Sequence, residues 1–277
     1  MKPGMEREPF HYNIPLAAQA RLTLVDVFHE QVAYRKFYQR PFDMLSVVLR
    51  GQGEDSVSTN MRTGEVMAAR ENDIRLIPCG LPQMYHHTLG AERYGIHFRL
   101  ELFPGLDVFA GIDSVICENS PALREEAEDI FAEKDRVLLL SRRTEFALRF
   151  CHRHWPEHYN FDLERARRFE DLLRELQSVL SARTRVEWMA RRARLSQEAF
   201  SRTFSEIFRL SPKQYLEQEL FRRASILLLD PGATVKSVAE KLDFANEFYF
   251  SRFFKKMSGA PPAVYMKANS FKKDDMS

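Results

Sequence analysis

Residues 200–208 read FSRTFSEIF and residues 250–258 read FSRFFKKMS, so one chain writes Phe-Ser-Arg-x-Phe twice, fifty positions apart. The echo runs on downstream, where Ser211-Pro212 and Tyr215 answer Pro261-Pro262 and Tyr265 at the same offset. Upstream, Met189-Ala190 answers Val238-Ala239 one residue out of step. Two copies are too few for a solenoid, which needs several stacked units to bury a core. They describe two related helical modules side by side.

In the second module Val235, Val238, Ala239 and Leu242 recur at helical spacing. Asp243-Phe244-Ala245-Asn246 interrupts them, and Asn246 is placed to cap a new helix from Glu247. Phe250, Phe254 and Met257 then form a buried face, with Glu247, Phe248, Ser251, Arg252 and Lys255 opposite. A short helix, a tight turn and a second helix with a polar face make a helix-turn-helix. The first module repeats this with Val186, Met189, Ala190 and Ala193, then Ser196 as cap. Its Phe200, Phe204 and Ile207 or Phe208 turn inward, and Gln197, Glu198, Ser201, Arg202 and Ser205 turn outward. Between the modules, Pro212 sits behind Ser211 at a helix start, and the spacing predicts one helix over 213–229, stopped by Asp230-Pro231-Gly232. At ~1.5 Å per residue this rod spans about 26 Å. It suits two recognition helices held about 34 Å apart, one turn of DNA.

The outward charges of a single helix are commonly only a solvated face, and a lone helix-turn-helix pattern is weak. Here the charge balance agrees with the duplication. Residues 183–277 carry 18 Lys/Arg against 11 Asp/Glu, a net of +7, while residues 1–182 carry 23 against 28 and all eight histidines. A basic C-terminal part suits a polyanion. Arg202 and Arg252 are expected to read bases, and Lys255 with Lys256 to meet phosphate.

Residues 184–267 resemble the DNA-binding domain of AraC/XylS-type transcriptional regulators. The stretch SVAEKLDFANEFYFSRFFKKMSGAPPAVYMK carries the likeness through Ala239, Phe244, Tyr249-Phe250-Ser251-Arg252, Phe254, Gly259, Pro262 and Tyr265. The first module carries it through Ala190, Ser196, Phe200-Ser201-Arg202, Phe204, Pro212 and Tyr215. The sequence departs from the family pattern at Arg194, Asp243 and Arg209, where glycine is usual, and at Met266, where an Arg often follows the tyrosine. The resemblance implies a regulator, an activator in most cases, that binds operator DNA as a homodimer, works with RNA polymerase in the cytoplasm and responds to a small molecule.

From about Ala33 to Leu102 the texture changes to short apolar runs, MLSVVLR, DIRLIP and ERYGIHFRL, separated by turn-rich pieces. This predicts short antiparallel strands in a sandwich or small barrel. Arg50-Gly51-Gln52-Gly53, Asn72-Asp73-Ile74 with Ile77-Pro78, and Ile96-His97-Phe98 resemble the cupin-like ligand-binding domain of sugar-responsive members of that family. The fold class is then α+β: a β-rich domain over 10–115, a helical connector over 116–182 and a double helix-turn-helix over 183–270.

Arg35, Tyr85, His86, His87, Tyr94 and His97 are the candidate ligand-binding residues. Arg, Tyr and His can hydrogen-bond hydroxyls while a ring covers a carbohydrate face. Each has a bland alternative: alternation turns only one of His86 and His87 inward, and His97 fits a core position. Clustered histidines also raise an iron or manganese cupin enzyme as the competing class. Neither His86-His87 nor His97 has the His-x-His spacing with a following Glu, so no metal, cofactor or catalytic residue is assigned. The dispersed Cys79, Cys117 and Cys151 make no zinc cluster of the kind a DNA-repair methyltransferase needs, and read as reduced thiols. A regulator answering to a protein partner is a third class.

The connector carries two apolar stripes. One starts at Ser120-Pro121 and includes Leu123, Ala127, Ile130, Phe131, Val137, Leu138 and Leu148. The other lies in a helix expected over 162–181 with Phe169, Leu172, Leu173, Leu176, Val179 and Leu180. Either packs on the sheets or pairs two copies. No run of ~18 apolar residues supports a membrane span, and MKPGMEREPFHYN has no signal-peptide core. Phe10, His11 and Tyr12, before Pro15, are candidates for an arm over the pocket.

Overall fold

The computed structural model describes residues 21–269 apart from 32, 52, 110 and 156–162. The proposed arm at Phe10, His11 and Tyr12, together with Gln52 and Asp162, lies outside the described residues. Among the described residues ten strands come first: β1 (Arg21–Glu30), β2 (Tyr34–Tyr38), β3 (Asp43–Arg50), β4 (Gly53–Asn60), β5 (Val66–Ala69), β6 (Asp73–Ile77), β7 (Gln83–His87), β8 (Glu92–Phe103), β9 (Leu106–Asp107) and β10 (Ile116–Asn119). They form two sheets, one ordered β1-β8-β3-β6-β10 with β9 on β8, the other β2-β7-β4-β5. All the pairings are antiparallel.

Strand β3 shows why the larger sheet is buried on both faces. Its Leu45, Val47 and Leu49 join the core under the helices. Met44 packs instead with Tyr38, Ile77 and Tyr85 between the sheets. A strand covered on both sides reads as a near-continuous apolar run, as MLSVVL does. On β8 the same alternation sends Ile96 and Phe98 to the helices and Arg93, Gly95 and His97 to the inter-sheet side. Gly95 pairs with Phe28 of β1, whose ring occupies the space a Cβ would need.

Helices α1 (Pro121–Ala132) and α2 (Arg136–Arg153) lie on the outer face of the larger sheet. Ser120 caps α1 by accepting from Leu123 N at 3.3 Å, and Asp135 caps α2. The expected single stripe therefore breaks at residues 133–135. Val137, Leu138 and Leu148 point to solvent, whereas Phe146, Ala147, Phe150 and Cys151 face inward. The helix expected over 162–181 is two, α3 (Leu163–Arg167) and α4 (Glu170–Val179). The chain tightens between them through a Phe169 N to Ala166 O bond of 3.0 Å. This seats the fully buried Phe169 ring among Phe200, Phe204 and Phe208, with centroids 5.6 to 6.0 Å away. Packing of a large aromatic overrides helical continuity here.

The C-terminal helices are α5 (Val186–Arg192), α6 (Gln197–Phe208), α7 (Pro212–Leu229), α8 (Val235–Lys241), α9 (Glu247–Ser258) and α10 (Pro262–Asn269). Ser211 and Gln214 close a capping box at the head of α7. The central rod is 18 residues long. Among the described residues no helix is long and apolar enough to cross a membrane.

Sheets and C-terminal helices touch directly. The turn between β8 and β9 places Gly105 at φ +75°, where a Cβ would strike Glu219 and Tyr215 of α7. Tyr215 Oη donates to Pro104 O at 2.6 Å, and Gln39 Nε2 donates to Met257 O at 3.3 Å. Glu219, itself buried, accepts from Arg222 at 2.8 and 2.7 Å and from Gln177 at 2.9 Å.

Candidate nucleic-acid interface and inter-sheet cleft

Each recognition helix owes its start to a cap read from the sequence. Ser196 accepts from Ala199 N at 3.2 Å, and Asn246 accepts from Phe248 N and Tyr249 N at 3.0 and 3.1 Å. Arg194 (φ 55°) and Asp243 (φ 60°) hold the preceding turns in the left-handed region that favours glycine. Leu195 N to Ala190 O and Phe244 N to Ala239 O, both 3.0 Å, close these turns as six-to-one bonds. Arg209 (φ 56°) ends α6 in the same left-handed conformation, its N–H bonded to Ser205 O at 3.0 Å. The cost of a non-glycine residue at Arg194 and Asp243, about 1–3 kcal/mol each, is offset by buried apolar side chains flanking the turn, Met189 and Phe200 in one module and Val238 and Phe250 in the other.

Phe200, Phe204, Phe250 and Phe254 are completely buried. Opposite them Gln197, Glu198, Arg202, Glu247, Phe248, Arg252, Lys255 and Lys256 are exposed, and Ser201, Ser205 and Ser251 partly so. Among the described residues neither Arg202 nor Arg252 is held in an ion pair, so both guanidiniums can reach outward. Lys256 differs: its ammonium lies 3.1 Å from Glu217 on α7. A solvated pair of this kind is weak and exchanges readily for phosphate.

A second concavity lies between the two sheets, a narrow cleft with about 20 Å³ of free space. Of the sequence candidates, Tyr85 and His87 of β7 line it. His86, between them, is exposed by strand alternation, and so is Arg35 on β2. Tyr94 lies on the opposite face of β8, stacked on Phe131 of α1 at 4.2 Å and 3°. His97 is buried between Phe28 and Phe42, with centroids 4.9 and 4.8 Å away, outside the cleft lining. Burial holds its imidazole down at about 4, neutral in the physiological range. Asp26 is 3.9 Å from its Nδ1, too far for a hydrogen bond.

The charged lining was not among the expected residues. Arg93, one position before Tyr94, is buried and donates to Glu30 Oε2 from Nε at 3.0 Å and from Nη2 at 2.7 Å. It also donates to Tyr34 Oη, which donates to the same Glu30 oxygen at 3.0 Å. Burial alone would raise the Glu30 carboxyl, but the Arg93 charge and hydrogen bonds hold it below its ordinary value. Arg75 pairs with Asp73 at 2.6 Å, and Arg50 Nε lies 3.5 Å from Glu92. The cations of the cleft are thus each matched by a carboxylate.

What the cleft leaves without partners is neutral except for the Nε–H of Arg75, whose charge is already paired with Asp73. The Tyr85 hydroxyl and both ring nitrogens of His87 are buried and make no hydrogen bond. Burial, then the nearby Arg93 charge, holds the His87 imidazole at about 3. Burial raises the Tyr85 phenol. Among the described residues no group of three His, Cys, Asp or Glu side chains converges to hold a metal.

A family model described as a helix-turn-helix domain matches residues 189–268. No curated protein matches the sequence. Among solved structures, an apo form of ToxT from Vibrio cholerae superposes with a TM-score of 0.56 at 11% identity, covering 90% of this chain and 97% of that one. Unsaturated fatty acid bound wild-type ToxT from the same organism superposes with a TM-score of 0.54 at 10% identity, covering 91% and 98%. At such identity the likeness is one of fold, and it extends over the sheets as well as the paired modules.

Proposed function

We propose that this chain, with its AraC-type helix-turn-helix domain at residues 189–268 and a ToxT-like fold, is a ligand-responsive DNA-binding regulator of transcription. The observation that carries the reading is the pair of unpaired arginines, Arg202 and Arg252, at matching positions on two exposed helix faces joined by one rigid helix. In vitro selection from random duplex DNA with the full chain tests it. The expected product is a site with two contacted segments about one helical turn apart. Enrichment of no sequence would remove the DNA-reading function.

The cleft, on widening beyond its present 20 Å³, supports an effector that is uncharged and hydroxyl-bearing, a carbohydrate or polyol, because its ion pairs are already balanced. A hydroxyl both donates and accepts, which matches a neutral imidazole and a phenol. A carboxylate would add an unmatched negative charge. The ToxT structure with a bound unsaturated fatty acid marks the opposite chemistry in that protein. A thermal-shift panel of neutral sugars, sugar acids and fatty acids is expected to show stabilisation by members of the first group. His87→Ala and Tyr85→Phe should each weaken that ligand several-fold, as loss of ~0.5–1.5 kcal/mol of hydrogen bonding implies. With His87 titrating at about 3, affinity should stay flat across the neutral range. Stabilisation by fatty acids alone, or a pH-dependent affinity in that range, would overturn this assignment.

Activation through RNA polymerase and homodimerisation complete the proposal. The exposed Val137, Leu138, Leu140 and Leu148 of α2 support a contact between two copies there. Sedimentation at micromolar concentration should give a dimer, and Val137→Glu with Leu148→Glu a monomer. A wild-type monomer would count against it.

A further inference from the structure

The two modules share their caps, their buried rings and their arginine, and part company at the residues that face outward at the head of each recognition helix. At the fifty-residue offset Ser196 answers Asn246, Phe200 answers Phe250 and Arg202 answers Arg252, but Gln197-Glu198-Ala199 stands against Glu247-Phe248-Tyr249. In the first module the second helical position is a charged acceptor; in the second it is an aromatic ring. Phe248 is 72% exposed and Tyr249 59%, the two most exposed large apolar side chains among the described residues of the C-terminal helices.

Three features fix where that ring points. Asn246 holds the Phe248 and Tyr249 amides, so the first turn is set. Phe250 and Phe254 are wholly buried, which turns Phe248 away from the core. Phe248 also borders an open notch between α8 and α9 lined by Lys236, Ala239, Phe244 and Ala245. Residues in the first turn of a recognition helix are those that meet base edges in the major groove. There the one apolar feature that distinguishes a base pair is the C5-methyl of thymine.

We infer that Phe248 is a specificity-determining residue that reads a thymine methyl, so that the second module selects a T·A pair by apolar contact. The first module, with Gln197 and Glu198 in the equivalent place, reads its segment by hydrogen bonds. The two segments of the site therefore differ in chemistry, and the bound chain has a direction on DNA. This rests on the DNA-reading function proposed above.

The test uses the full chain and the site obtained by selection. Each dT in that site is replaced in turn by dU, which removes only the methyl, and affinity is measured at fixed salt. In the second segment at least one replacement should weaken wild type about fourfold, the effect of exposing one methyl group. The Phe248→Ala variant should bind the unmodified site roughly tenfold more weakly than wild type and lose its sensitivity to that replacement. Arg252→Ala should keep the sensitivity, since its own contact is polar. Indifference of wild type to every dU, or an undiminished dU effect in Phe248→Ala, overturns the inference while leaving DNA binding intact. Failure of selection to yield any site would overturn the function itself and this reading with it.

Discussion

Arg93→Ala is expected to destabilise the chain by about 2–3 kcal/mol in urea unfolding. The substitution leaves Glu30 with no ion-pair partner and removes the donor to the Tyr34 hydroxyl, which keeps only its bond to Glu30. Removing one member of a buried pair costs about 3–5 kcal/mol. Glu30 is a quarter exposed, and water reaching it discounts that figure. The double replacement Arg93→Met with Glu30→Leu should recover most of the loss, because two apolar groups of similar volume need no solvation. Wild-type stability for Arg93→Ala alone would mean that the pair is not formed in solution.

Arg252→Ala and Arg202→Ala are the second large effect. Each should cost about 1–3 kcal/mol on the selected site, roughly 5- to 150-fold, and much less on random DNA. Lys255→Ala should instead lower affinity evenly across sequences and reduce the salt slope by about one. Lys256→Ala should do less, since its ammonium is already shared with Glu217. Titrations at several salt concentrations separate these outcomes. Equal losses of Arg252→Ala on specific and random DNA would reduce it to a phosphate contact.

The helical half of the molecule was legible in the sequence because its signals are local. The caps Ser196, Ser211 and Asn246 and the buried phenylalanines all act within one or two turns. The turns at Arg194 and Asp243 were visible as departures from glycine, and the backbone keeps the left-handed geometry regardless. The cleft was legible only in part. Alternation separates His87 from His86 and Tyr85 from Met84, but it needs a register to say which set faces inward. On β8 the stretch ERYGIHFRL offers two sets, and the inward one holds Arg93 rather than Tyr94. Of the two candidates chosen there, Tyr94 belongs to the outer set and His97 to the inner one but beyond the cleft, and Arg93 was passed over, since a buried arginine makes sense only once its partner is known. That partner, Glu30, lies 63 positions away on a strand brought alongside by pairing. Nothing short-range in the sequence announces it.

The contacts by which the sheets hold the reader have a consequence for how such a molecule diversifies. Tyr215 and Gln39 each reach across to a main-chain carbonyl, that of Pro104 or Met257, and so recognise a peptide group rather than a side chain. A carbonyl survives almost any substitution at its own position. Under the proposed function, the cleft can then accumulate changes that suit it to a new compound, and the surface of α9 can change its preferred bases. The mechanical connection between them is inherited unaltered through both kinds of drift.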